Sequence, residues 1–214
     1  ELADRMQKQA QRFGAETRHS EVTGLDLTAQ PKRIATPDGD LYARTVVIAT
    51  GANPRKLGVP EEEDLVGRGV AYCATCDGEF FTGKDVFVVG GGFAAAEESV
   101  FLTKYARQVT ILIRGDDFTC AQATADAARS HEKITVLTNT EVEEVSGDTS
   151  LRYLRYRNTK TGQVTKHHAA DGETFGVFVF AGYEPATELV RGLAELNDQG
   201  YILTDRSQKT TADG

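Results

Sequence analysis

Cys73-Ala-Thr-Cys76 sets two thiols at a C-x-x-C spacing, which suits a redox dithiol, half of a zinc site, or two unpaired cysteines. Zinc normally takes four ligands from Cys or His. The remaining candidates are Cys120, His19, His131, His167 and His168. Only the last two are adjacent, on what reads as a hairpin, so no metal site is expected. Redox work is the better fit, because a C-x-x-C pair in a turn can close a disulfide and a thiol of lowered pKa attacks as the thiolate. Asp77 follows directly; a carboxylate there can pass a proton to or from a thiol, or it can cap a turn.

A second constellation begins a dozen residues on, in Val88-Val-Gly90-Gly91-Gly92-Phe93-Ala94-Ala95, a match to G-x-G-x-x-A after an apolar run and before a helical one. Such a loop suits a dinucleotide. Gly90 permits the tight turn, Gly92 lets a pyrophosphate approach the backbone, and Ala95 lets the helix pack on the strand, while the helix start turns free N–H groups and positive dipole toward the phosphates. Without a ligand the same residues are a glycine-rich turn. An acid about 20 residues further would hold the adenosine ribose of NAD. Arg114 stands there instead. A guanidinium suits a 2′-phosphate and so favours NADPH, with NADH the alternative because Asp116 and Asp117 nearby oppose a phosphate.

Periodicity supplies the elements that must carry these residues. Residues 84–90, 93–106 and 108–114 read as strand, helix and strand, a βαβ unit. A helix over 121–129 and a strand over 134–137 follow, then a meander over 141–146, 151–158 and 164–169 that crosses the sheet. Residues 175–180 return as a parallel strand ending at Ala181-Gly182. Upstream, Leu2, Met6 and Phe13 give residues 1–13 helical spacing. Residues 19–27, 32–36 and 41–50 read as an antiparallel ribbon with a tight turn at Pro37-Asp-Gly39. Its last strand closes in Val46-Val-Ile-Ala-Thr-Gly51, as a strand does on entering a packed sheet. Residues 52–69 have linker chemistry, with 61–64 a solvated acidic stretch, and beyond Pro185 a short helix and a strand over 200–203 are expected.

The 214 residues fit one large domain or one and a half ordinary ones. Thirty-two acids against 24 bases leave a net charge of −8, which argues against a nucleic-acid or anionic-membrane partner. No run approaches the roughly 18 apolar residues of a membrane span. Three cysteines are too few for a secreted disulfide scaffold, so a reducing, cytoplasmic compartment is expected. The chain opens in what reads as mid-helix and closes on a turn, as the middle of a longer chain would.

Cys73-Ala-Thr-Cys-Asp-Gly78, then Gly90-Gly-Gly, with Ile48-Ala-Thr-Gly-Ala52 upstream and Gly67-Arg-Gly69 between, resembles bacterial low-molecular-weight thioredoxin reductase over essentially the whole chain. The resemblance implies an α/β fold. A Rossmann-like three-layer NAD(P)H-binding domain with a β-meander crossover would carry the dithiol over residues 68–182. It would be inserted in a partial FAD-binding domain of the same type, residues 1–67 and 183–214. It also implies roles. Cys76 faces the flavin, Cys73 attacks the partner's disulfide, and Asp77 is the acid–base carboxylate. Gly91, Gly92, Phe93, Ala94 and Glu97 join Gly90 and Ala95 in the dinucleotide loop, with Ala181 and Gly182 bordering the nicotinamide half. Thr50 and Gly51 form a flavin-site turn, and Val22 is a backbone contact to adenine. FAD and NADPH are the implied cofactors, a thioredoxin-like or glutaredoxin-like protein disulfide the implied partner, and a homodimer the implied assembly.

The chain departs from the family pattern in places. The family's phosphate-recognition stretch carries a histidine and three arginines where this chain has Ile113, Arg114, Gly115 and Thr119, and the family's Pro-Asn-Thr is Pro185-Ala-Thr187. A ferredoxin-dependent flavin thioredoxin reductase is therefore a second reading, which the intact loop from Gly90 through Ala95 opposes. A redox-sensing nucleotide-binding module without catalysis is a third. The family's N-terminal glycine fingerprint and C-terminal flavin motif fall outside these residues, so tight FAD binding by them alone is not expected. Cys120 reads as a packed residue, and His167-His168 as a wet hairpin face.

Overall fold

The computed structural model describes residues 2–213, which divide into two compact units: Asn53–Glu184, and a smaller unit formed by the segments on either side. In the smaller unit, helix α1 (Leu2–Arg12) buries none of its residues. Strands β1 (Gly24–Asp26), β2 (Lys32–Ala35) and β3 (Leu41–Ala43) then pair antiparallel in that order. The Asp26 carboxylate shapes the β1–β2 connection by accepting from the N–H groups of Thr28 and Ala29 and from the Thr28 hydroxyl. Lys32 is buried, and its ammonium donates to the Leu27 carbonyl at 2.9 Å.

Three expectations fail in this unit. The strand over 19–27 shrinks to β1, and the one over 41–50 stops at Ala43, so that Val46-Val-Ile-Ala-Thr-Gly51 forms no strand and Val47 is 89% exposed. An apolar run becomes a buried strand only where neighbours accept its backbone groups. Among the described residues no ladder pairs with it. Residues 200–203 likewise reduce to one bridge between Leu196 and Ile202.

The larger unit is entered through β4 (Ala52–Pro54). In chain order it holds β5 (Val70–Ala71), α2 (Ala74–Asp77), a 3-10 turn (Gly78–Phe81), β6 (Asp85–Val89), α3 (Phe93–Leu102), β7 (Gln108–Leu112), α4 (Gln122–Arg129), β8 (Ile134–Leu137), β9 (Thr140–Gly147), β10 (Leu151–Asn158), β11 (Val164–His168), β12 (Gly176–Val179) and β13 (Tyr183–Pro185). The main sheet is parallel throughout, in the order β5-β12-β6-β7-β8. Its two faces follow from the period-2 alternation of side chains. Val86 and Val88 of β6, Val109 and Ile111 of β7 and Phe178 of β12 pack on Ala95, Ala96, Leu102 and Ala128 of α3 and α4. Phe87, Leu112, Val177 and Val179 face the other way, onto Val145, Leu151 and Leu154 of the antiparallel meander β9-β10-β11. Helices, sheet and meander are the three layers. The βαβ unit, second helix, third strand and crossover meander expected from the sequence are all present, with ends displaced by a few residues.

The acidic stretch 61–64 is solvent-exposed at Glu61, Glu63 and Asp64, as expected, but not at Glu62. Leu65 is buried, and Glu62 is 2% exposed, its carboxylate accepting from the N–H groups of Leu57 and Gly58 and from the Tyr72 hydroxyl at 2.7–2.9 Å. Burial, and then this bond, push the Tyr72 phenol well above its ordinary range. Cys120 is partly buried against the helix-side core, as its bland reading holds.

His167 corrects the wet-hairpin reading. It is half-buried, edge-on to Phe175 at 4.6 Å and to Phe87 at 4.8 Å between ring centroids. Burial lowers its pKa, against a smaller raising pull from the Asp85 carboxylate. The folded state therefore binds fewer protons than the unfolded chain, so stability is lost as pH falls through the unfolded value of about 6.5. The expected result is a thermal midpoint that drops from about pH 7 to pH 5 in the wild type, and drops less in His167→Phe. Equal slopes in the two proteins would contradict this origin.

Candidate active site

β5 ends two residues before the dithiol. Cys73 is the N-cap of α2, and Cys73 and Cys76 are joined as a disulfide with Cα atoms 5.3 Å apart. The pair thus sits on a short helix rather than the expected turn. The Cys76 N–H donates to Cys73 Sγ at 3.2 Å, a bond that favours negative charge on that sulfur once the disulfide is reduced. Cys76 is exposed and Cys73 half-buried. Asp77 ends α2, half-exposed, and its carboxylate has no hydrogen-bond partner among the described residues.

A cavity of about 860 Å³ opens over the carboxyl ends of β6, β7 and β12, where strand order reverses about β6. Open α/β sheets bind ligands at such a switch point. Gly90 leaves β6 at φ +147°, and a Cβ there would lie 2.4 Å from the Phe180 carbonyl oxygen at the end of β12. The buried Ala95 packs beneath, 3.1 Å from the same point. Gly91 accepts the Thr119 N–H at 2.7 Å. Gly92 precedes α3 and faces open space: the nearest atom to a Cβ there is Thr119 Oγ1 at 4.0 Å. Among the described residues no side chain caps α3, so the N–H groups of its first turn are left for another acceptor. Phe93 and Ala94 stand at the rim, Ala181 and Gly182 line the wall, and Glu97 is exposed on α3 but does not line the cavity.

Arg114 also lines the cavity, exposed, with no hydrogen bond or ion pair among the described residues. The two acids beside it are both paired. Asp116 meets Lys160, from the turn between β10 and β11, and Asp117 meets Arg129 of α4. Arg55 and Lys56 line the cavity as well, and sequence reasoning missed them by assigning their segment to a linker. The Arg55 N–H donates to the Gly182 carbonyl at 2.9 Å, which ties that segment to the cavity rim. The two consecutive cations were the available signal.

In the smaller unit, the Thr50 hydroxyl donates to the Ala186 carbonyl and the Gly51 carbonyl accepts the Ala186 N–H at 3.0 Å. Gly51 takes φ +74° with nothing within 4 Å of a Cβ. Val22 is half-buried just ahead of β1.

The family model for pyridine nucleotide-disulphide oxidoreductases matches residues 3–214. A thioredoxin reductase of Mycolicibacterium smegmatis is 45% identical over 215 aligned positions, covering all of this chain and 68% of that protein. A bifunctional thioredoxin reductase/thioredoxin of Mycobacterium leprae is 43% identical over 216, again covering the whole chain but 46% of the relative. Among solved structures, Lactococcus lactis thioredoxin reductase superimposes with a TM-score of 0.82 at 35% identity, covering 98% of this chain and 68% of that one. This chain belongs to the pyridine nucleotide-disulphide oxidoreductase family.

The two glycines separate folding from binding. Gly90→Ala forces a left-handed backbone and a clash with Phe180, and should cost about 3 kcal/mol or more. Gly92→Ala has ordinary backbone angles and free room, and should change stability by less than about 1 kcal/mol. Denaturant unfolding of both variants checks the contrast, which equal losses would contradict.

Proposed function

We propose that the protein is a flavin-dependent disulfide reductase of thioredoxin-reductase type, moving electrons from NADPH by way of FAD to Cys73/Cys76 and on to a thioredoxin-like disulfide. What carries the reading is one parallel sheet that holds both a C-x-x-C disulfide after β5 and a glycine-cradled cavity after β6. In this reading residues 68–182 are the NAD(P)H-binding domain and residues 1–67 and 183–214 are parts of the FAD-binding domain. The name of the M. leprae relative favours a thioredoxin-like over a glutaredoxin-like partner. A homodimer in the cytoplasm completes the proposal.

The residues present fit a dinucleotide. Gly92 leaves room where a Cβ would intrude, and among the described residues the α3 N–H groups have no side-chain cap and Arg114 is an unpaired cation. Thr50 and Gly51 serve as a flavin-site turn, Thr50 through its backbone because its hydroxyl is already bonded to Ala186, and Val22 serves as a backbone contact to adenine. When bound, the flavin supplies two-electron chemistry between a nicotinamide and a disulfide.

The chain's own part is thiol exchange. After reduction, Cys73 takes the thiolate role, supported by the Cys76 N–H, and attacks one sulfur of the partner's disulfide, releasing the other as a thiolate. Cys76 then attacks Cys73 Sγ, which frees the partner's second sulfur and restores the internal disulfide. Asp77, next to Cys76 in the sequence, exchanges the proton of the Cys76 thiol.

With the FAD-loaded protein, Cys73→Ser and Cys76→Ser should each lower NADPH-dependent thioredoxin reduction by about a thousandfold or more, while NADPH-dependent reduction of ferricyanide persists. Cys76→Ser should also trap a mixed disulfide through Cys73. Sustained thioredoxin turnover in either variant would refute the proposal, and trapping only in Cys73→Ser would reverse the two sulfurs.

A further inference from the structure

The loop after β7 is acidic by composition, since Arg114 is outnumbered by Asp116 and Asp117. Its surroundings cancel that charge. Lys160 reaches Asp116 from the β10–β11 turn, and Arg129 reaches Asp117 from the last turn of α4. Adding Lys160 and Arg129, together with Asp126, which Arg129 also meets, brings the net charge at the strand tip from one negative to zero. Asp117 and Arg114 both line the cavity. Asp116 does not, so the Asp117 pair is the one that a bound molecule would meet.

Arg129 is also held in place before any ligand arrives. Its Nη1 lies 3.3 Å from Asp126 Oδ1, and Gln122 Nε2 fixes the same oxygen at 2.7 Å. Its guanidinium carbon lies 5.2 Å from the centroid of the Phe118 ring, within cation–π range. Asp117 is anchored from the other side, accepting the Phe118 N–H at 2.6 Å. The pair is therefore a fixture of α4 and the loop, with its charge cancelled in the cavity wall.

On the reading that this cavity binds a nicotinamide dinucleotide, we propose that Arg129 is a specificity-determining residue. It masks Asp117 and thereby admits a 2′-phosphorylated coenzyme to a loop that its own sequence would close to one. Arg129 acts through Asp117 and is a positioning residue. Lys160 does the same more weakly for Asp116, outside the lining. In this arrangement Arg114 supplies the attraction and Arg129 removes the repulsion.

The test measures dissociation constants of NADPH, NADH, 2′,5′-ADP and 5′-AMP for the FAD-loaded wild type, Arg129→Gln, Asp117→Asn and the double variant. Arg129→Gln should weaken NADPH and 2′,5′-ADP by roughly five- to thirtyfold, as expected for one unmasked charge at short range, and NADH and 5′-AMP by less than about twofold. The double variant should recover NADPH affinity to within about threefold of wild type, and Asp117→Asn alone should bind NADPH more tightly than wild type. Equal losses for all four ligands in Arg129→Gln, or failure of Asp117→Asn to rescue it, would overturn the proposal while leaving the coenzyme reading intact. A wild type that bound neither NADPH nor NADH would overturn both. Should Arg129→Gln not fold, the Asp117→Asn gain and an intermediate NADPH loss in Arg129→Lys carry the same decision.

Discussion

Everything chemical in the larger unit depends on how closely the ends of β6 and β12 approach. At Gly90 the backbone passes so near the Phe180 carbonyl that no Cβ fits between them, and the buried Ala95 brings α3 down onto the same point. That contact points the start of α3 into the cavity and fixes the cavity's floor. β12 also pairs on its other side with β5, whose chain runs directly into Cys73. Because these strands are parallel, the dithiol and the dinucleotide cradle lie at the same end of one sheet, two strands apart. A change at the β6–β12 contact would be felt by both.

Buried and neutralised charge does the supporting work. Glu62 takes three hydrogen bonds, from Leu57, Gly58 and Tyr72, so one carboxylate joins the segment carrying Arg55 and Lys56 to the residue just ahead of Cys73. Losing it would release all three of these part-buried donors from their shared acceptor. The strand-tip loop uses the opposite device, in which acids at the rim are cancelled by cations from α4 and from the β10–β11 turn. The first arrangement holds a backbone in place and the second sets a local potential.

Much of the larger unit was legible in the sequence, because its strands carry continuous apolar runs and its helices a distinct period. The glycine loop showed itself by its place between such elements, and the dithiol by spacing alone. What the sequence hid was contact between distant segments. Arg129 lies twelve residues beyond Asp117 and Lys160 forty-four beyond Asp116, and neither spacing marks a pair until α4 and the meander are folded. Glu62 sat inside an acidic run whose composition signals solvent, yet its carboxylate is almost completely covered. Val46-Val-Ile-Ala-Thr-Gly51 failed in the other direction, being apolar enough for a sheet but without a ladder among the described residues. Composition reports what a segment tolerates, and pairing decides what it becomes.

In the function proposed, the dithiol and the dinucleotide cavity serve one electron path. Anaerobic titration of the FAD-loaded protein with NADPH, followed by flavin absorbance, tests it most directly. NADPH should bleach the flavin band and oxidised thioredoxin should restore it, with one thioredoxin disulfide reduced per NADPH consumed. A flavin that stays oxidised under excess NADPH, or one that bleaches but does not recover on adding oxidised thioredoxin, would contradict it.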